Sequence, residues 1–322
     1  MIVDTHVHLI RPFDSRGNAQ VYSPGNPTSA EEYVALMDAS GIDRAFFISW
    51  SPEDIPSDLL GKGINPEQVR ETMNREYALE AMRAYPDRFY WFPCHLGPGV
   101  GDAAVMAREN LALGAAGLKL VCSFWGELPD DPRLVPLYGL AEEYRAQIII
   151  DTSYWYLGKD DPTDPDRLPP GHREVAWRVA DFQDYLRHVD AVVASYPQVN
   201  FQLAHAGARS FTPDHAREVG AFIRAYPNVF ADLGALRTDA PALECLVEAA
   251  GADRVMFGTD WPHFAQGDAM RRAIEHIRRP GRFGAKMCEM ILGENALRFV
   301  KGRAPGLRVR TGSPFRDDFR RF

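Results

Sequence analysis

The sequence predicts an α/β fold, a (β/α)8 TIM-like barrel, over its 322 residues. Short β-rich runs alternate with longer helical segments, and eight such units fit within this length. Several predicted strands are continuous apolar runs, such as Ile148-Ile149-Ile150, which is typical of parallel strands buried on both faces. An open doubly wound sheet is the alternative. It would usually carry a glycine-rich phosphate loop after its first strand, where this chain has His6-Val7-His8-Leu9 instead.

Strands and helices are predicted in alternation from the start of the chain. The predicted strands lie at 2–9, 44–50, 88–95, 116–121, 147–152, 199–204, 228–232 and 254–258. The predicted helices lie at roughly 29–40, 65–85, 101–114, 132–144, 181–195, 213–225, 240–250 and 267–277. In the helix over 65–85, Glu67, Glu71 and Arg75 recur at four-residue spacing and therefore share one helical face.

Two segments fall outside this alternation. Residues 153–174 are rich in proline, glycine and aspartate, which predicts an insertion after the fifth strand, either covering the active site or forming a solvated surface excursion. Residues 301–322 form a basic tail that either wraps a second subunit, giving a homodimer, or is disordered. The chain is therefore predicted as one barrel domain over 1–300 followed by the tail.

Composition limits the classes of function. The chain is 46% hydrophobic and 25% charged, as expected for a soluble globular protein with a sizeable core. Its net charge of -8 gives no electrostatic reason to bind nucleic acid. No apolar run is long enough to cross a membrane, and no secretory signal is visible. The four cysteines form no CxxC pair, which argues against a cysteine zinc site and favours reduced thiols in a cytoplasmic protein.

The first strand carries the pattern that most strongly suggests a metal site. His6 and His8 are alternate residues of a strand and therefore point to the same side, with Val7 on the other. Two imidazoles on one face at the end of a buried strand are suited to bind a divalent metal. Strand histidines are also often exposed or hydrogen-bonded, so this pattern alone does not establish a metal site.

Titratable side chains recur near the carboxyl ends of the predicted strands, where barrel active sites lie. These residues are His6, His8, His95, Lys119, Asp151, His205 and Asp260. In a closed barrel they converge on one mouth, although they come from distant parts of the chain.

Three motifs resemble those of a known family. They are Asp4-Thr5-His6-Val7-His8, Leu203-Ala204-His205-Ala206-Gly207 and Phe257-Gly258-Thr259-Asp260-Trp261-Pro262. A fourth segment, Leu292-Gly293-Glu294-Asn295-Ala296, resembles the family's closing GxNA segment. In this order, over about residues 1–300, the chain resembles the amidohydrolase superfamily, in its amidohydrolase-related (aminocarboxymuconate-semialdehyde-decarboxylase-like) branch. The resemblance implies a distorted barrel, a divalent metal and hydrolysis, lactone opening, hydration or non-oxidative decarboxylation of small carboxylated or cyclic substrates.

The resemblance also implies roles for individual residues. His6, His8 and Asp260 would hold the metal, and His205 would lie beside it as an acid–base or electrophilic residue. The family usually ends its fifth strand with a histidine ligand, whereas this chain has Asp151. We expect Asp151 to replace that histidine as an oxygen ligand of one divalent metal, zinc in the first place, with manganese or iron as alternatives. The other interpretation is that Asp151 misses the metal and the protein works without one.

Further residues are candidates for contact with substrate. Lys119 or Arg209 would supply the cation that a carboxylate substrate requires, although lysine at this position is a carbamylated metal ligand in other branches of the superfamily. His95 would touch substrate or be a hydrogen-bonded core histidine. Trp50 and Tyr154 would line an aromatic pocket or belong to the core.

Three functions are compatible with these residues. The first is a metal-dependent hydrolase of a small cyclic or carboxylated substrate, in which the metal activates water, Asp260 accepts a proton and His205 stabilises the oxyanion. The second is a non-oxidative decarboxylase or another lyase on the same scaffold. The third is a metal-free or non-catalytic barrel that binds a small ligand, with Asp151 marking a decayed site.

Overall fold

The computed structural model describes residues 1–11, 29–50, 75–95, 102–122, 127–152, 182–207, 212–234, 238–262, 268–302 and 305–306. The strands in these ranges are β1 Val3–Val7, β2 Arg44–Ser49, β3 Phe89–Pro93, β4 Gly117–Leu120, β5 Gln147–Ile150, β6 Phe201–Leu203, β7 Val229–Asp232 and β8 Val255–Met256. Each lies within a strand predicted from sequence.

Helices follow the strands along the chain. They are α1 Ala30–Ser40, α2 Arg75–Ala84, α3 Ala103–Leu113, α4 Val135–Tyr144, α5 Phe182–Ser195, α6 Pro213–Ala225, α7 Ala242–Ala250, α8 Ala269–Ile277, α9 Ala285–Glu289 and α10 Asn295–Phe299. A π-helical turn, Met290–Glu294, joins α9 to α10. Local sequence sets several of the boundaries. For example, Ser29 and Glu32 form a capping box at the start of α1, and Gly41 ends that helix in the left-handed conformation.

The strands form a parallel barrel. They pair in the orders β1-β2-β3 and β4-β5-β6-β7-β8, and every pair is parallel. The two sheets meet at β3 and β4, where His95 N donates to Lys119 O at 2.9 Å. They meet again beside β1, where Thr5 N donates to Phe257 O at 2.9 Å and His8 N donates to Trp261 O at 2.7 Å. Hydrogen bonds at both junctions close the ring, which confirms the predicted fold class.

Side-chain alternation along the strands separates two apolar cores. One strand face packs against the surrounding helices and includes Phe47, Trp91, Leu118, Ile148 and Ile150. The other face lies inside the ring and includes Phe46, Phe92, Ile149 and Phe230. Phe299 of α10 joins this inner core, with its ring centroid 5.8 Å from that of Phe46 and 5.6 Å from that of Phe230. The interior of the ring is therefore packed with apolar side chains, and we expect the reactive polar groups at the mouth above it.

Some expectations concern segments outside the described ranges. The insertion predicted over 153–174, residues 65–74 of the second predicted helix and residues 307–322 of the tail lie there. The division into a barrel over 1–300 and a tail over 301–322 therefore stays a prediction. Within the described ranges, no helix has the length and apolarity needed to cross a bilayer.

Candidate metal centre

Three side chains from the two ends of the chain converge above the inner core. His6 Nε2 lies 3.6 Å and His8 Nε2 lies 3.4 Å from Asp260 Oδ1. All three residues are buried, and one ligand atom from each lies within 4.8 Å of the others. Val7 packs in the outer core. The alternation predicted for the first strand therefore places both imidazoles on the inner side.

Both histidines have their second ring nitrogen oriented by another group. His8 Nδ1 lies 3.1 Å from Ile48 O, and His6 Nδ1 lies 3.1 Å from Asp232 Oδ2. Because these acceptors require a proton on Nδ1, the lone pair of each ring is on Nε2, which faces Asp260. Burial and the nearby ammonium of Lys119 lower the pKa of His6 to about 4, so this imidazole is neutral near neutral pH, as a metal ligand must be.

Asp232, at the end of β7, connects His6 to His205 and was not identified from the sequence. Its Oδ2 accepts hydrogen bonds from His6 Nδ1 at 3.1 Å and Gln202 Nε2 at 2.5 Å. Its Oδ1 accepts from the backbone nitrogens of His205 at 3.0 Å and Gly234 at 2.8 Å. Burial would raise the pKa of Asp232, but its interaction with His6, together with the nearby charges of His205 and Lys119, lowers it to about 2. The available signal was its position as the last residue of a predicted strand.

Close packing around Asp232 also explains the glycine that follows it. A Cβ at Gly234 would lie 2.9 Å from Asp232 Oδ1 and 3.0 Å from His6 Nδ1. Any side chain at this position would push the carboxylate and the imidazole apart, so the site requires glycine here.

Asp260 is held in position by its backbone and its neighbour. It adopts a left-handed conformation with φ 56°, which is uncommon for a residue other than glycine. Its N–H donates to His6 O at 2.8 Å. The preceding residue, Thr259, donates to the buried carboxyl of Asp4 through its backbone N at 3.0 Å and through Oγ1 at 2.6 Å. These bonds join the end of β8 to β1 and bring Asp260 over the two histidines.

His205 lies beside this group, in a short turn after β6. Its backbone is also left-handed, with φ 59°, and its ring centroid is 4.6 Å from that of His6. Its Nδ1 lies 3.1 Å from Gly234 O and 4.0 Å from Asp260 Oδ2, and its Nε2 lies 3.8 Å from Asp151 Oδ2. Burial would lower the pKa of His205, but the neighbouring carboxylates, Asp151 first among them, raise it to about 9.

Asp151 lies beside Lys119, because β4 and β5 are neighbouring strands. Lys119 Nζ lies 3.1 Å from Asp151 Oδ2, and the lysine side chain is 1% exposed. Among the described residues, the histidine and carboxylate groups close enough to share an ion are His6–His8–Asp260 and His6–His205–Asp232. Asp151 belongs to neither, and its predicted role as a ligand stays a prediction.

The remaining candidates for substrate contact differ in position. His95 Nε2 lies 3.0 Å from Glu127 Oε2, and its Nδ1 accepts from Val121 N at 3.2 Å, which supports the hydrogen-bonded core interpretation. Trp50 is half-buried and stacks on His8 with centroids 5.4 Å apart, at the edge of the candidate centre. Tyr154 and Arg209 lie outside the described residues.

The chemistry of the converging donors fits a divalent cation. Two imidazole nitrogens and one carboxylate oxygen form a donor set that zinc accepts and that manganese or iron also tolerates. Outer partners orient both rings, as is usual for metal-ligating histidines.

Comparison with known proteins identifies the family of the chain. The model of the amidohydrolase family matches residues 3–302. No curated protein matches the chain. An uncharacterised TIM-barrel protein from Bordetella bronchiseptica is 20% identical with a TM-score of 0.64, covering 94% of this chain and 98% of its own.

Two solved decarboxylases are also similar. The 5-carboxyvanillate decarboxylase of Novosphingobium aromaticivorans, complexed with manganese and 4-hydroxy-3-methoxy-5-nitrobenzoic acid, is 18% identical with a TM-score of 0.63, covering 94% of this chain and 96% of its own. A 2,6-dihydroxybenzoate decarboxylase, complexed with 2,6-dihydroxybenzoate, is 18% identical with a TM-score of 0.60, covering 93% of this chain and 98% of its own. The structural likeness shows the barrel fold, and the family match over nearly the whole chain shows that the protein belongs to the amidohydrolase family of enzymes.

Proposed function

We propose that this protein is a metal-dependent hydrolase acting on a small cyclic or carboxylated substrate. The observation that carries the proposal is the convergence of His6 Nε2, His8 Nε2 and Asp260 Oδ1, with the other ring nitrogens engaged by Asp232 and Ile48 O. We propose His6, His8 and Asp260 as the residues that hold the cation. A divalent cation bound there supplies a Lewis acid that polarises a substrate carbonyl and makes water more acidic.

The two oxygens of Asp260 face different groups. Oδ1 faces the two imidazoles, whereas Oδ2 faces His205 at 4.0 Å. We propose that Oδ2 accepts the proton of the attacking water and that His205 donates a hydrogen bond to the developing oxyanion. In this arrangement a proton taken up by Asp260 lies next to a group able to pass it to the leaving atom.

Non-oxidative decarboxylation is the second candidate, and the charge on His205 favours it. Its two ring nitrogens lie near a backbone carbonyl and a carboxylate, both of which are acceptors. An imidazole between two acceptors is best satisfied when both nitrogens carry protons. Such a group is an acid that would protonate the carbon from which carbon dioxide leaves. Two of the similar structures are named as decarboxylases.

Zinc is our first proposal for the metal, because the donor set contains two imidazoles. Manganese, which is present in one similar decarboxylase, and iron are the alternatives. The proposed partner is a small molecule, and the net charge of -8 offers nucleic acid no attraction. A cytoplasmic location and a homodimer stay predictions.

Metal content of the purified protein tests the proposed centre. We expect about one equivalent of divalent metal in the wild type. It should be lost in the double variant His6→Ala, His8→Ala and in Asp260→Asn, and retained in the control Asp214→Asn, which changes an exposed carboxylate on α6. An empty wild-type protein after incubation with zinc, manganese and iron would refute the metal-dependent function.

The products then distinguish the two reactions. Candidate lactones, esters and aromatic acids would be incubated with the metal-loaded enzyme in H₂¹⁸O. Incorporation of ¹⁸O into a product carboxylate indicates hydrolysis, whereas release of carbon dioxide without ¹⁸O in the organic product indicates decarboxylation. Carbon dioxide release as the main reaction would contradict the hydrolase assignment.

A further inference from the structure

Lys119, Asp151 and His205 form a chain of contacts at one side of the mouth. They come from β4 and from the ends of β5 and β6, which are adjacent in the barrel. Lys119 Nζ lies 3.1 Å and His205 Nε2 lies 3.8 Å from the same atom, Asp151 Oδ2. One carboxylate oxygen thus contacts both nitrogen groups.

The burial of Lys119 explains why Asp151 is bound on this side. The lysine side chain is 1% exposed, and an ammonium removed from water is stable only beside a negative partner. Among the described residues, Asp151 supplies the one carboxylate within ion-pair distance of Lys119 Nζ. Asp151 Oδ2 therefore already neutralises a buried charge.

His205 lies next to two of the proposed metal-binding residues, His6 and Asp260. The His205 ring centroid is 4.6 Å from that of His6, and its Nδ1 lies 4.0 Å from Asp260 Oδ2. Asp151 contacts the far edge of the same ring and is absent from both groups of residues that could share an ion. His205 thus links Asp151 to the metal-binding residues.

We propose that Asp151 is a positioning residue and not a metal ligand: anchored by Lys119, it holds the His205 imidazole in place beside the metal-binding residues. The inference rests on the proposed function, because it assigns the metal to His6, His8 and Asp260 without a fourth ligand from β5. Gly234 O holds Nδ1 of the same ring at 3.1 Å, so two acceptors fix its orientation. An oriented imidazole presents its donors to a substrate oxygen in one geometry.

Metal affinity separates the two roles of Asp151. Competition with a chelator would measure zinc binding by the wild type, Asp151→Asn and Asp260→Asn. We expect Asp151→Asn to bind zinc with an affinity within about twofold of the wild type. Asp260→Asn should weaken zinc binding by more than the factor of about 10–100 that is typical of losing an outer partner. Equal losses in both variants would make Asp151 a ligand and overturn the inference while leaving the metal centre intact.

Nitrogen NMR of the metal-free protein gives a readout that a merely structural role would not change. Long-range ¹H–¹⁵N spectra report the protonation and hydrogen bonding of each ring, and His205→Gln assigns the signal. We expect Asp151→Asn and Lys119→Met to shift the His205 Nε2 resonance. Lys119→Arg, which keeps the positive charge, should shift it less than Lys119→Met does. Glu127→Gln is the matched control, because that carboxylate pairs with His95 and should shift only the His95 signal.

A His205 signal that does not respond to Asp151→Asn would overturn the proposal. If Lys119→Met fails to fold, Asp151→Asn and Lys119→Arg still provide the comparison. If the wild type binds neither zinc, manganese nor iron, the proposed centre fails, and the NMR comparison alone upholds or overturns the role of Asp151.

Discussion

Replacing Asp232 with asparagine should reverse the tautomer of His6. Asp232 Oδ1 accepts hydrogen bonds from the backbone N–H groups of His205 and Gly234. These N–H groups can only donate. The amide oxygen of asparagine must therefore take the Oδ1 position, which places its NH₂ group opposite His6 Nδ1. To accept that hydrogen bond, His6 must carry its proton on Nε2, the atom that faces Asp260. A protonated Nε2 has no lone pair for a metal.

The size of the effect follows from the contacts that change. Loss of an outer partner of a ligating histidine typically weakens metal binding about 10–100-fold, or about 1.4–2.7 kcal/mol. The wrong tautomer adds to this loss, so we expect at least the upper end of that range. In the metal-free protein, the NH₂ group at the Oδ2 position no longer accepts the hydrogen bonds that His6 and Gln202 donate to Asp232. Each hydrogen bond to a charged group contributes about 1.5–3 kcal/mol, so the free energy of unfolding should fall by up to about 3–6 kcal/mol.

Two measurements on Asp232→Asn test this reasoning. Chelator competition gives the zinc affinity, and long-range ¹H–¹⁵N spectra identify which nitrogen of His6 carries the proton. Circular dichroism and urea unfolding establish that the variant is folded where affinity is measured. Asp214→Asn, an exposed carboxylate paired with Arg217, is the control and should change neither quantity. A His6 ring that keeps its proton on Nδ1, together with unchanged zinc affinity, would refute the argument.

Three further predictions concern stability. Lys119→Met removes the ammonium that pairs with Asp151 and should lower the free energy of unfolding, measured in urea, by about 3–5 kcal/mol. The double variant Lys119→Met, Asp151→Leu should recover most of this loss. Equal losses in the single and double variants would contradict the pairing. The pKa of His205 is raised from 6.5 to about 9, so the stabilisation that its protonated ring gives the folded protein is complete below pH 6.5 and is lost as the pH rises through 9. The stability of the metal-free protein should therefore fall by up to about 3 kcal/mol over that interval, and His205→Asn should flatten the decline; an equally steep decline in the variant would argue against this origin. Gly117→Ala should destabilise the protein by about 1–3 kcal/mol, because its Cβ would lie 2.1 Å from Gln147 O. Gly139→Ala in α4, where a Cβ would meet no atom within 4 Å, should stabilise the protein by about 0.5–1 kcal/mol in the same urea titration. Similar effects at both positions would contradict the packing argument.

Local sequence predicted the fold and the residues that converge in the candidate metal centre. Strand periodicity put His6 and His8 on the same side because alternate residues of a strand share a face. The rule that barrel chemistry lies at the carboxyl ends of strands selected Asp260 and His205, and the structure brings both to the same mouth. The α9–α10 segment, whose Phe299 packs in the inner core, was not predicted, because its short helical turns carry little periodic signal.

The sequence by itself determined which residues could carry the chemistry, because alternation and strand ends are properties of a few neighbouring positions. The tertiary structure alone decided their partners. That Asp232 orients His6, that Lys119 pairs with Asp151 and that Glu127 engages His95 depend on distances between different strands and loops. Those distances are set by the packing of the whole barrel, since no local pattern specifies how far apart two separate strand ends will lie.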